Sequence, residues 1–195
     1  QYAIPYLVEH DILGHIFLPS GYIGKRNDWD HQLLGRRYFH LSAIQMKILH
    51  GLGWRWGSHG LTHRPLTALS DQTLKRELEE SKSVIEDIIG DKVSWLSLPF
   101  GKHSIRVLEA AYIAGYTGVV IPEIPDYSYP ESLNLLIPHF VYLWDSPRSL
   151  VRRLSTISTR AILRQWIDRA VRLANWGTYW WGLIRIKRPN LPFYI

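Results

Sequence analysis

Between residues 42 and 121 the sequence alternates short apolar runs with amphipathic stretches, and that alternation calls for parallel strands with covering helices. The longest amphipathic stretch opens near Ser70 or Asp71. It repeats Leu74, Leu78, Ile85, Ile88 and Ile89 at helical spacing, with Glu and Lys on the other side, and Gly90 ends it. Upstream, Ser42-Ala43-Ile44-Gln45 has the form of a capping box, in which hydroxyl and amide satisfy exposed backbone N–H groups at a helix start. The helix it opens runs through Ile48 to Gly51, where the missing Cβ suits a left-handed end. Strands are expected over residues 54–57, 93–98 and 116–121, with a turn at Pro99-Phe100-Gly101 and a helix over 104–114. Residues 2–10 read as a helix end, and Ile16-Phe17-Leu18 as a short buried strand closed by Pro19 and Gly21. Residues 21–38 and 122–132 read as loops, and 133–142 as a strand containing His139. The pattern by itself does not separate an open sheet from a barrel.

Two histidines, His59 and His63, follow the strand at 54–57 in the string Ser58-His59-Gly60-Leu61-Thr62-His63-Arg64-Pro65. Neutral imidazole is a common ligand for zinc-like ions, and two rings offered from one short turn can share one metal. His59 falls at the carboxyl end of its strand, the end at which α/β folds bind ligands, so its position supports a metal site independently of the spacing. Asp28, Asp30 and His31 also cluster, but in a stretch where nothing fixes their geometry; they read as a solvated loop.

The string "GWRWGSHGLTHRPLTALSDQTLKRELEESKSVIEDIIG", followed by "LPFGKHSIRVLEAAYIAGY", resembles the polysaccharide deacetylase (NodB-homology) family of metal-dependent carbohydrate esterases over roughly residues 1 to 145. The resemblance implies a deformed (β/α) barrel and assigns His59 and His63 as two metal ligands, with Gly60 where the stricter motif has Ser or Thr. It implies a divalent cofactor, zinc by preference, and an acetylated amino-sugar polymer or oligosaccharide as substrate. Leu98-Pro99-Phe100-Gly101 matches a segment that forms one wall of the family's substrate groove, which puts Pro99 and Phe100 at the substrate. Ile137-Pro138-His139 stands where members carry either a Leu-x-His motif, whose histidine protonates the departing amine, or an Ile/Leu-Pro-Arg segment; on the first correspondence His139 is catalytic. The family's Thr-Phe-Asp-Asp motif, source of the base and the third ligand, does not occur in the chain. The expectation is therefore a chain that begins after that motif, lacks the barrel's first strand and is impaired as an enzyme. The alternative is a non-catalytic carbohydrate-binding domain on the same scaffold.

Composition sets the remaining bounds. With 46% hydrophobic residues in 195, the chain can build one well-filled core. It has no cysteine, hence no disulfide, and no run of about 18 apolar residues. Nine tryptophans suit core packing, or flat rings against pyranose faces. The net charge of +6 is uneven: residues 147–195 hold ten basic residues and one acidic, leaving thirteen basic against sixteen acidic before them. This divides the chain into a deacetylase-like domain at 1–146 and a basic amphipathic extension at 147–195, packed on the domain. In the extension Arg152, Arg160, Arg164 and Arg172 line one helical face, a solvated stripe or a contact for an anionic surface. The basic and aromatic residues form no nucleic-acid-binding module, so no nucleic acid is expected.

Overall fold

The computed structural model describes residues 3–27 and 38–138. Among these residues, twelve elements follow one another, and over residues 15–120 helices and strands alternate as the hydrophobic pattern calls for. The helices are α1 (Ala3–Glu9), α2 (Ala43–Gly51), α3 (Asp71–Ile89) and α4 (Ile105–Ile113), and the strands are β1 (His15–Leu18), β2 (Arg55–Ser58), β3 (Trp95–Ser97), β4 (Gly118–Val120) and β5 (Asn134–Leu136). Short 3-10 turns at Ser20–Tyr22, Leu66–Ala68 and Pro99–Gly101 complete the set.

The five strands are all parallel and lie in chain order, β1-β2-β3-β4-β5. A doubly wound sheet reverses its order at a switch point; this one never does, which is the winding of a barrel. Among the described residues β1 and β5 do not pair, so the sheet is open. Strand alternation sends Leu18, Trp56, Leu96 and Val119 into the core under the helices. The other face is half-buried, and there two aromatic rings lie across glycines on the neighbouring strand. Phe17 pairs in register with Gly57 and Trp95 with Gly118, and a Cβ on either glycine would fall 2.3 Å or 2.5 Å from the ring.

Local chemistry explains the helix limits. Ser42 accepts from the Gln45 backbone N–H while the Gln45 side chain accepts from the Ser42 N–H, the reciprocal pair that the capping box requires. Ser70 and Ser104 cap α3 and α4 through their hydroxyls, and Gly90 closes α3 with φ 74°. At the end of α2 the expected left-handed residue is displaced. Gly51 stays helical, Leu52 is the cap, and the positive φ of 90° falls on Gly53, because Trp54 must return its N–H to the Leu49 carbonyl before the chain enters β2. The strands are also shorter than the apolar runs: β3 and β4 have three residues each, while flanking Val93, Leu98, Tyr116 and Ile121 are buried core beyond the strand limits, Leu98 and Ile121 still donating their N–H groups to the backbone of the next strand.

Trp54 and Trp56 are 5% and 4% exposed, which makes them core residues and removes them from any sugar-stacking surface. The loop residues Asp28, Asp30 and His31, the candidate His139, the Arg152–Arg172 stripe and the whole 147–195 extension lie outside the described residues.

Candidate metal site

All the relevant loops leave the sheet at its carboxyl end. The ladder itself delivers His59: its N–H bonds the Leu18 carbonyl at 3.0 Å, continuing the β1–β2 pairing one residue past the strand. On its other side, the His59 ring is tethered to β3. Nδ1 lies 2.7 Å from the Ser97 carbonyl oxygen, which can only accept, so Nδ1 carries the proton and Nε2 presents its lone pair. Burial holds the His59 pKa below the ordinary 6.5, against the upward pull of the Ser97 bond, so the ring is neutral at pH 7.

That lone pair meets His63. The two Nε2 atoms are 3.1 Å apart, with ring centroids 4.8 Å apart. One shared proton or one shared ion gives such a separation. Two imidazole nitrogens this close, carried by one short turn, could serve as two ligands of a single divalent ion such as zinc. A neutral imidazole whose other N–H is anchored on a backbone carbonyl is also the usual arrangement of a metal-bound histidine. The donor set thus fits two ligands of a divalent ion. Among the described residues there is no cluster of three or more His, Cys, Asp or Glu, so these residues supply two ligands and no third.

Backbone conformation concentrates here. Of the three non-glycine residues with positive φ among the described residues, two are His63 (54°) and Phe100 (61°). Holding a bulky aromatic in the left-handed region costs on the order of 1 kcal/mol, which the surrounding structure must offset. The Phe100 ring meets the His63 ring edge-on at a centroid distance of 4.9 Å, and Pro99 before it is buried. Four sequence-derived candidates, His59, His63, Pro99 and Phe100, therefore come together at one end of the sheet.

The sequence reading missed the residues beneath them. Glu77 and Ser81, one helical turn apart on α3, are 3% and 0% exposed. Glu77 accepts from the Leu61 and Thr62 backbone N–H groups at 2.8 and 2.9 Å and from the Thr62 hydroxyl. Ser81 bonds Ser58 Oγ at 2.8 Å, and Ser58 Oγ accepts from the Gly60 N–H at 3.1 Å. The available signal was two polar residues inside the apolar stripe of Leu74, Leu78 and Ile85, which a purely structural helix fills with hydrocarbon.

Fold and site together define an α/β protein of barrel winding with a histidine pair at the carboxyl end of its second described strand. The polysaccharide deacetylase family model matches residues 1–119, and the chain belongs to that family. Over 116 residues it is 27% identical to YxkH of Bacillus subtilis, a protein named for the same family; the match covers 60% of this chain and 37% of that protein's length. Among solved structures, the deacetylase PplD of Streptococcus pyogenes, in complex with acetate, superposes with a TM-score of 0.63 at 18% identity, over 79% of this chain and 64% of that one. A de-N-acetylase from Aggregatibacter actinomycetemcomitans gives 0.58 at 12% identity, over 77% and 68%. At these identities the likeness is one of fold.

Proposed function

We propose that the chain carries part of the active site of a metal-dependent deacetylase acting on an N-acetylated amino-sugar polymer or oligosaccharide. The observation that carries this reading is the face-to-face pair of Nε2 atoms, with His59 held neutral and aimed by Ser97. His59 and His63 would hold the divalent ion, zinc by preference. When bound, such an ion polarises an acyl oxygen and acidifies a water molecule. Phe100 and Pro99 would form the adjoining wall, where the rigid Pro99–Gly101 turn sets the edge of the groove. His139 is assigned to protonation of the leaving nitrogen on the family correspondence alone.

The general base and the remaining ligand belong outside the described residues, and no Thr-Phe-Asp-Asp segment occurs in the 195. Two imidazoles are a poor divalent site, since catalytic zinc normally has three protein ligands. Residues 1–195 alone should therefore turn over little. Acetate release from an acetylated amino-sugar oligomer, measured with and without a chelator, tests this. The expected result is a trace activity abolished by the chelator; vigorous turnover by these 195 residues would contradict the need for a further carboxylate. For the alternative, a non-catalytic sugar-binding domain on the same scaffold, the burial of Trp54 and Trp56 removes those two rings from the sugar-stacking candidates.

A further inference from the structure

We infer that Glu77 is a positioning residue, which sets the distance between the two imidazoles by gripping the backbone between them. The inference rests on the metal-ligand reading above but is tested apart from it. His59 is fixed from two sides by the sheet, through Leu18 and Ser97. His63 lies in the turn beyond β2, and its φ of 54° is one that L-residues avoid. The turn that carries it is anchored on α3. One Glu77 oxygen accepts from both Leu61 and Thr62 backbone N–H groups and the other accepts from the Thr62 hydroxyl. A single buried carboxylate therefore fixes two consecutive peptide groups immediately before His63, while Ser81 holds Ser58 immediately before His59. Both ends of the turn are pinned to the same helix, one helical turn apart.

Gly60 belongs to this device. Its φ is 77°, and a Cβ there would sit 3.3 Å from Glu77 Oε2, tight against the oxygen that receives the two N–H groups. The chain has glycine where a side chain would press on the carboxylate.

The test uses the 195-residue chain with Glu77→Gln, which removes the negative charge and one of the two acceptor oxygens, and Thr62→Val, which removes only the hydroxyl contact. Long-range proton–nitrogen NMR of the imidazoles in metal-free protein reads the geometry directly. Zinc sulfate titration on the same samples reads its consequence, and circular dichroism checks the fold. In Glu77→Gln the His63 ring resonances should move while those of His59, tethered to Ser97, hold still, and zinc affinity should fall by about tenfold or more, as for other residues that orient metal ligands. Thr62→Val should shift the same resonances less, and it carries the test if Glu77→Gln does not fold. Unchanged His63 resonances in a folded variant overturn the inference, whatever the zinc result. Displaced His63 resonances in a protein whose wild type binds no zinc uphold the positioning role and overturn the metal reading instead.

Discussion

His59 Nδ1 lies 2.7 Å from the carbonyl oxygen of Ser97, so a ring on the loop after β2 is aimed by the backbone of β3. The bond ties the tautomer to the sheet: while the two strands stay in register, Nε2 keeps its lone pair directed at His63. The candidate site is thus a consequence of strand pairing on one side and of helix anchoring on the other.

The anchoring side makes Gly60 intolerant of a side chain. Gly60→Ala imposes a left-handed conformation on an L-residue, about 1–2 kcal/mol, and presses a methyl toward Glu77 Oε2 at 3.3 Å. Chemical denaturation should show a loss of about 1–2 kcal/mol or somewhat more, with the His63 imidazole resonances displaced. Wild-type stability would mean that the turn has room to relax.

Phe100 joins a strained backbone to a ring contact. Phe100→Asn places in the left-handed region one of the residues that tolerates it best, while removing the ring from His63. Melting temperature should change by no more than a few degrees. Affinity for an acetylated amino-sugar oligosaccharide, followed by NMR titration, should fall by about tenfold, the equivalent of one aromatic contact. Unchanged affinity would remove Phe100 from the groove.

Tyr116 supplies the pH dependence. Burial raises its phenol above the ordinary value near 10, while hydrogen bonds with Ser58 and Ser81 pull the other way. The folded protein therefore keeps this proton at a pH where the unfolded chain releases it. The associated stability is complete below about pH 10 and is lost as pH rises from there through the folded pKa. Tyr116→Phe deletes the bonds to Leu78 O at 3.0 Å and Ser81 Oγ at 3.3 Å, which should cost about 1–2 kcal/mol at pH 7. It should also flatten the fall in stability between pH 9.5 and 11, conditions chosen to bracket the ordinary tyrosine value of about 10. Urea unfolding at several pH values in both proteins measures the two effects; parallel pH profiles would show that Tyr116 does not supply the dependence.

Much of this was legible in the sequence because periodicity and caps are local signals. Ser42 with Gln45, Ser70, Gly90 and Ser104 mark helix ends through hydrogen bonds spanning at most four residues, and each lies where the pattern puts it. Spacing, the place after a strand and the motif around them made His59 and His63 candidates. What made them a site was not local. Ser97 is 38 positions from His59, and Glu77 reaches back 15 and 16 residues to Thr62 and Leu61. No pattern in one sequence encodes such contacts, although a glutamate on an apolar stripe hinted at one. Strand order was likewise invisible: short parallel strands read alike in an open doubly wound sheet and in a barrel, and only the pairing of β1 to β5 in succession separates them. Helix α2 does end at Gly51, but its left-handed residue was misplaced by two positions because Gly51 and Gly53 are equivalent by composition, and only the return of Trp54 to Leu49 chooses between them.

The central claim is that His59 and His63 act together as ligands of one divalent ion. Isothermal titration of zinc into the 195-residue chain, into His59→Ala and into His63→Ala tests it most directly. The expected result is one weakly bound ion per chain, with affinity reduced at least about tenfold by either substitution. Absence of binding to the wild type, or equal binding in all three proteins, would contradict the claim and leave the 3.1 Å contact as a hydrogen bond between two structural histidines.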